Sequence, residues 1–326
     1  MLGFWSIRTS PSRSPRRSTR SWSQLSGMKR QRTRRESPST ITGNGSRPSF
    51  LPCMRAFAVE RCAGGKQMRR LVEAAWAKRL YIVYMTRGYL KGDARQKVLG
   101  YLWWIIEPIS LALVYTFLVA GVFNRGGPGV AFYILSGVLP FRWTQHAVSE
   151  AIGSIRRHSG IIVSGYIPKV VFPAIAMAVT GVRFLVSLLV VGVPLIIFGN
   201  DTPWTSLLLP VAVAVQLCFT AGLSLVFSHY GTYYVDTKNI WDVISRYWLY
   251  LSPVIYSLAR FDRPVLRTLI ELNPATGFLG LYRMALLGEP APSATALISL
   301  MVVTGITLVW GLRLHAKHDS LYGKVL

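Results

Sequence analysis

Acids are the scarcest chemistry in this chain: 13 Asp and Glu stand against 37 Lys and Arg in 326 residues, a formal net charge of +24. Neither a Ser/His/Asp arrangement nor a pair of carboxylates sits on a polar scaffold, which excludes the usual acid–base and nucleophilic catalysts. Cysteine is nearly absent as well. Cys53 and Cys62 lie in a basic leader and Cys218 in an apolar run, so no disulfide framework is expected. His146, His158, His229, His315 and His318 share no ligand spacing with one another or with the cysteines, which argues against zinc. A phosphate-binding loop is also missing: Gly64-Gly65-Lys66 is followed by Gln67 and lacks the glycine five residues before Gly65. The chain is therefore expected to be no enzyme, with no metal and no cofactor of its own.

What is present is apolar surface. Hydrophobic residues make up 51% of the chain and charged residues only 15%, with a mean hydropathy of +0.36. That balance belongs to a chain whose solvent is mostly lipid. Runs of roughly 20 apolar residues, the length that crosses a bilayer as a helix, fall near 103–123, 130–151, 171–198, 204–228, 240–259 and 293–314. The expectation is an all-α integral membrane protein with six transmembrane helices. Arg125 is the lone base in the first turn between spans, and the turn between the third and fourth holds Asp201 and no base. Arg156, Arg157 and Lys169 mark the loop between the second and third spans, and Arg313, Lys317 and Lys324 mark the tail. By the positive-inside rule both termini are cytoplasmic.

Most of the Lys and Arg lie before Gly100. Residues 1–67 are rich in Ser, Arg, Pro, Thr and Gly without apolar periodicity, and such a segment cannot repay the entropy of folding. It reads as a disordered basic leader, with translation expected to start at Met68, Met54 being the alternative. The basic run from Lys29 to Arg35 resembles a nucleic-acid patch, but nothing folded accompanies it, so no nucleic-acid partner is expected. Over 68–100 the pattern changes: Leu71, Val72, Ala75, Trp76, Leu80, Val83 and Tyr84 recur at helical spacing among Arg69, Arg70, Glu73 and Lys78. This is an amphipathic helix suited to the cytoplasmic membrane interface, or to packing on a soluble partner.

The stretch from Asp236 to Gly288 is too interrupted by Pro, Gly and charge to be one span. An aromatic helix ends at Ser252-Pro253, and short helical pieces carrying Arg260, Arg263, Arg267 and Arg283 follow. Irregular backbone at bilayer depth survives only inside protein or at a wet cavity, so this reads as a re-entrant or interfacial pair of short helices between helices five and six, beside a lined opening, with the long basic side chains reaching to the membrane interface. Arg183 is the one base in the middle of an expected span, and Glu107 is an acid within another. Charges at such depth mark function or a structural pair, here a Glu107–Arg183 pair or a ligand contact by Arg183.

Six phrases occur in order after the amphipathic helix: L-G-Y-L-W-W-I-I-E-P at 99–108, G-V-L-P-F-R-W at 137–143, I-P-K-V-V-F-P at 167–173, S-P-V-I-Y at 252–256, L-N-P at 272–274 and Y-R-M-A-L-L-G at 282–288. Each is weak alone. Together, over residues 69–326, the chain resembles the membrane subunit of type-2 ABC exporters, in particular the permeases that move O-antigen, capsule or teichoic acid across the bacterial inner membrane. That family usually has Arg-Asp at the start of its fifth helix, where this chain has Val235-Asp236.

The resemblance implies a homodimeric pore over residues 101–326, in contact with membrane lipid and driven by two copies of a separate ABC ATPase that binds the ATP. It implies a lipid-linked glycan as cargo, with drugs or lipids on the same fold as the alternative. Flat aromatic faces suit a sliding sugar chain, and Trp241, Tyr247, Trp248, Tyr250 and Tyr256, with Phe278 and Tyr282 beyond, are the candidates for the substrate path. Aromatic residues also mark bilayer interfaces, which is the competing reading. Arg183 would meet the phosphate of the lipid carrier. Contact with the ATPase would run through Arg156, Arg157, Lys169 and Asp236. A secondary transporter would show an internal repeat and buried acids, and neither is evident.

Overall fold

The computed structural model describes residues 68–117, 128–164, 167–199, 203–257, 263–319 and 321–322. The leader expectation and Arg125, Asp201, Arg260 and Lys324 lie outside them. No strand occurs among the described residues. The first helix, α1 (68–77), stops at a turn on Lys78 and resumes as α2 (Arg79–Gln96). Together they carry the expected amphipathic pattern. Leu71, Thr86 and Ala94 are buried, whereas Val72, Trp76, Leu80, Val83 and Tyr84 form an exposed apolar stripe.

Between α2 and α3 (Trp103–Thr116) the chain turns through about 100°. Lys97 is extended and Gly100 has φ 49°, a left-handed conformation that glycine adopts without strain. The order continues with α4 (Pro128–Ile152), two short helices α5 (Ser154–Arg157) and α6 (Ser159–Ser164), α7 (Val171–Gly199), a 3-10 turn at Pro203–Leu208, and α8 (Leu209–Tyr233). Then come α9 (Thr237–Leu251), α10 (Pro264–Glu271), α11 (Pro274–Leu287) and α12 (Ala294–His318).

Helix α4 is central and packs on α3, α7, α8, α9 and α11. One face, through Leu135, Leu139 and Trp143, meets Phe184 and Leu188 of α7 and Tyr282 and Leu286 of α11. The neighbouring face, through Ile134, Val138 and Phe141, meets Phe219, Phe278, Leu279 and Leu300. Residues three and four apart share a helix face, which is why one helix serves two clusters. Buried Gln216 of α8 donates to the Pro140 carbonyl at 2.6 Å and the Thr144 hydroxyl at 2.9 Å, tying α8 to α4. Helices α8 and α12 approach closely at Gly222, where any Cβ would strike Thr307, the small-residue packing typical of membrane helices.

Among the described residues three helical segments are long and apolar enough to span a bilayer: Val171–Pro194, Trp204–Tyr233 and Ala294–His318; a fourth is added if α2 and α3 count as one broken span. The expected count of six is therefore met in part. Helix α4 has the length, but its last turns carry Arg142, Gln145, His146, Ser149 and Glu150. Helix α9 is 15 residues long, short of the roughly 20 a crossing needs. It stops because Ser252 precedes Pro253 and is held extended (φ −92°, ψ 147°). The two short helices expected after it are present as α10 and α11.

Candidate functional site

A charged cleft runs between α2 on one side and α4, α5 and α7 on the other. Its main chamber, about 650 Å³, is lined by Tyr89, Asp93, Glu150, Arg157, His158 and Arg183, among others. An adjoining space of about 160 Å³ shares Glu150 and Arg183 and adds Glu107, Arg142 and His146. Arg183 is thus one member of a charged belt across α2, α3, α4 and α7, not an isolated base. The Glu107–Arg183 pair does not form. Arg183 Nη2 lies 3.0 Å from Asp93 Oδ2, while Glu107 faces Arg142 at 3.9 Å. Asp93 also takes Lys97 at 3.1 Å. Arg183 Nε is buried without a hydrogen-bond partner.

Arg157 donates to the Glu150 carboxylate at 2.8 Å and to the Glu150 carbonyl at 2.5 Å. Beside it, His158 Nδ1 lies 2.6 Å from the Ser154 carbonyl and Nε2 lies 2.5 Å from the Tyr89 hydroxyl. A carbonyl accepts only, so Nδ1 carries the proton and Nε2 accepts from Tyr89. Burial disfavours the charged imidazolium and is the main cause of a lowered His158 pKa; the Arg157 charge adds to it, and the Ser154 carbonyl works against it.

On α9 the sequence-expected path residues divide between two faces. Tyr247 and Tyr250 are 64% and 63% exposed, on the outward side with Ile240, Val243, Ile244 and Leu251. Trp241 is buried on the inward side, its Nε1 donating to the Gln145 carbonyl at 3.0 Å. Trp248 packs between Phe141 and Phe219. Phe278 and Tyr282 are fully buried in the two clusters around α4. Trp241, Phe278 and Tyr282 therefore offer no ring face to a passing chain; tight packing has taken those faces. Tyr256 is partly buried, its hydroxyl donating to the Leu251 carbonyl at 3.0 Å.

The three phrases S-P-V-I-Y, L-N-P and Y-R-M meet in one polar clamp. Trp248 Nε1 donates to Asn273 Oδ1 (2.9 Å), Asn273 Nδ2 donates to Ser252 Oγ (2.9 Å), and Ser252 Oγ donates to the Trp248 carbonyl (2.7 Å). Arg283, buried, donates to the carbonyls of Pro253 at 2.6 Å and Val254 at 3.1 Å, and its guanidinium carbon sits 3.6 Å from the Tyr133 ring centroid. The carbonyls freed where α9 breaks are satisfied here, as burial requires. Composition had placed Arg283 among basic side chains reaching for an interface. It is instead a buried peg.

The four residues expected at a partner surface also divide. Arg157 and Asp236 are exposed. Arg156 donates to the Thr232 carbonyl at 3.0 Å, closing the last turn of α8. Lys169 is buried, 3.6 Å from Asp319 Oδ2, while its backbone N–H donates to Asp319 Oδ1 at 3.0 Å. Its surface role is withdrawn: desolvation demands a counter-ion, and Asp319 supplies it. Sequence reasoning missed Asp93 and the Tyr89–His158 bond. The available signal for Asp93 was that no other acid occurs between Glu73 and Glu107. Among the described residues no group of three or more His, Cys, Asp or Glu is placed to hold a metal.

Residues 81–287 match the family of the ABC-2 type transporter. The chain belongs to that family, and its apolar helices make it a multi-pass membrane protein. It is similar to the O-antigen export system permease protein RfbA of Myxococcus xanthus, 26% identical over 244 residues, which cover 74% of this chain and 94% of that one. An O-antigen export system permease protein of Klebsiella pneumoniae is 25% identical, covering 75% and 94%. The polysialic acid transport protein KpsM of Escherichia coli is 24% identical, covering 68% and 87%.

Proposed function

We propose that this chain is the pore-forming membrane subunit of an ATP-driven exporter that moves a lipid-linked polysaccharide from the cytoplasm across the bacterial inner membrane. The observation that carries the reading is its similarity to O-antigen permeases over 94% of their length. The pore is a homodimer, and two copies of a separate ABC ATPase supply the energy. Both termini face the cytoplasm, as the distribution of bases favours. Six crossings are counted on α3, α4, α7, α8, α9 and α12, with α10 and α11 returning to the outer surface. A helix as short as α9 crosses only where neighbouring protein or water meets its ends, which is the setting a pore provides.

The path residues that remain are Tyr247 and Tyr250, outward on α9, with the partly buried Tyr256 beyond its end, while Trp248 supports them from the packed face. Arg183, in the charged cleft, meets the phosphate of the lipid carrier. Arg157 and Asp236 are the exposed groups available to the ATPase, with Arg156 holding the loop in place. Export by a strain lacking its own permease tests the reading. This chain, expressed with its ATPase partner, is expected to restore surface polysaccharide, whereas polysaccharide retained in the cytoplasm despite correct insertion would refute it.

A further inference from the structure

The segment after α12 is fastened at two points to parts of the chain far away in sequence. Asp319 Oδ1 accepts the Lys169 backbone N–H at 3.0 Å, and its Oδ2 lies 3.6 Å from Lys169 Nζ, both side chains nearly buried. Three residues on, Tyr322 is fully buried. Its hydroxyl lies 2.6 Å from His229 Nδ1, and its ring packs against those of His229, Tyr233 and His315 at centroid distances of 5.8, 5.9 and 5.7 Å. His315 is itself held, with Nδ1 on the Gly311 carbonyl at 3.0 Å and Nε2 3.3 Å from Ser228 Oγ. A segment beyond a helix end frays unless it is tied down, and a buried tyrosine hydroxyl needs a polar partner. The cradle between α8 and α12 meets both needs.

Each fastening lies at one end of the same loop, the one that joins α4 to α7. At its entry, α4 runs into α5 against the last turn of α8. Gly231 lies so close to Ile152 that any Cβ would strike the Ile152 carbonyl, and Arg156 donates to the Thr232 carbonyl at 3.0 Å. Gly231 and Thr232 belong to the same turn as His229 and Tyr233, which hold Tyr322. At the exit of the loop Lys169 is held by Asp319, and the next residue, Val170, shares a buried cluster with Leu225 of α8 and Ala316 of α12. The last turn of a helix lacks intrahelical partners for its carbonyls and frays readily. Pinning that turn from the α12 side fixes where Arg156 finds its acceptor.

We infer that Asp319 and Tyr322 are positioning residues, a clasp that sets both ends of the α5–α6 loop against α8 and α12. Asp319 fixes the exit directly, and Tyr322 fixes the entry through the last turn of α8. That the loop so placed couples to an ATPase rests on the proposed export function; the contacts of the clasp do not.

The full chain in lipid nanodiscs, alone and with its ATPase partner, is compared with Tyr322→Ala, Tyr322→Phe and Asp319→Asn. Hydrogen exchange in the chain alone reads the clasp. Tyr322→Ala is expected to speed exchange at 229–233 and 153–157 at least tenfold and to leave the middle of α4, 134–139, unchanged. Asp319→Asn is expected to act at 167–172 instead, and Tyr322→Phe, which keeps the ring, to recover most of the protection. With the ATPase, polysaccharide exported per ATP hydrolysed is expected to fall several-fold in Tyr322→Ala and to return with Phe. Should the alanine variant insert poorly, Tyr322→Leu fills most of the space and is expected to give the same local change. Unaltered exchange at 153–157 in a folded variant overturns the inference, as does acceleration spread evenly over α4 and α7, which would make Tyr322 a general packing residue. Local loosening with export per ATP unchanged also overturns it, because the loop would then need no positioning. A wild-type chain that binds no ATPase, with the local exchange changes as expected, would reject the exporter reading and leave the clasp standing.

Discussion

Replacing Arg283 with Met removes the peg that holds the end of α9 while keeping much of the side-chain volume. Two carbonyls, those of Pro253 and Val254, lose a charged donor at 2.6 and 3.1 Å. Hydrogen bonds to charged groups contribute about 1.5–3 kcal/mol each. The stack on Tyr133 at 3.6 Å adds about 2 kcal/mol when desolvated. Against this, Met relieves the penalty of burying a guanidinium, several kcal/mol in the interior of a protein, and here Arg283 Nε goes without a partner. The expected net loss is about 2–4 kcal/mol, the balance of those terms. Thermal unfolding in nanodiscs measures it, and hydrogen exchange of residues 251–256 locates it. Arg283→Lys keeps the charge but not the fork or the flat stack, and is expected to fall between the two. A Met variant as stable as wild type, with residues 251–256 equally protected, would refute the clamp.

Tyr247→Ala and Tyr250→Ala are expected to cost under about 1 kcal/mol, as surface substitutions do, because both rings are mostly exposed. Export per inserted molecule is expected to fall with Ala and survive with Phe; unchanged export with Ala would remove both from the path. Lys169→Met removes the cation facing the nearly buried Asp319 carboxylate while keeping the backbone N–H bond, and is expected to lower stability by about 3–5 kcal/mol. The double change Lys169→Met with Asp319→Leu is expected to recover most of that in thermal unfolding, and a double variant no better than the single would refute the pairing. Since burial lowers the His158 pKa below its ordinary 6.5, the unfolded chain binds the proton more readily, and the stability contributed by neutral His158 is lost as pH falls through that value. Hydrogen exchange across α2 is expected to speed up on acidification as Tyr89 loses its acceptor, and His158→Gln to flatten the response; a pH response unaltered in that variant would reject it.

Features that depend on neighbouring residues along the chain were legible. The apolar runs beginning near 103, 171 and 293 correspond to helices starting at Trp103, Val171 and Ala294, because length and composition decide whether a segment partitions into lipid. The stop of α9 was legible from Ser252-Pro253, a restriction acting within one dipeptide. So was the amphipathic pattern of 68–100, although the break at Lys78 was not. Partners were another matter. Glu107 and Arg183 look like a pair when charge is read along the chain, yet Arg183 meets Asp93 because α2 turns back to lie along α7. Likewise Tyr247 and Trp248 are adjacent in sequence and face opposite ways, and only the position of α4 and α8 decides which ring is packed and which is free. Arg283 follows the same rule: charge alone placed it at an interface, while the carbonyls released at the break of α9 gave it a buried place. Periodicity and composition are local properties and settle what each segment is. Counter-ions, buried donors and the cleft between α2 and α7 depend on distances between helices far apart in the chain, and these exist only once the bundle has packed.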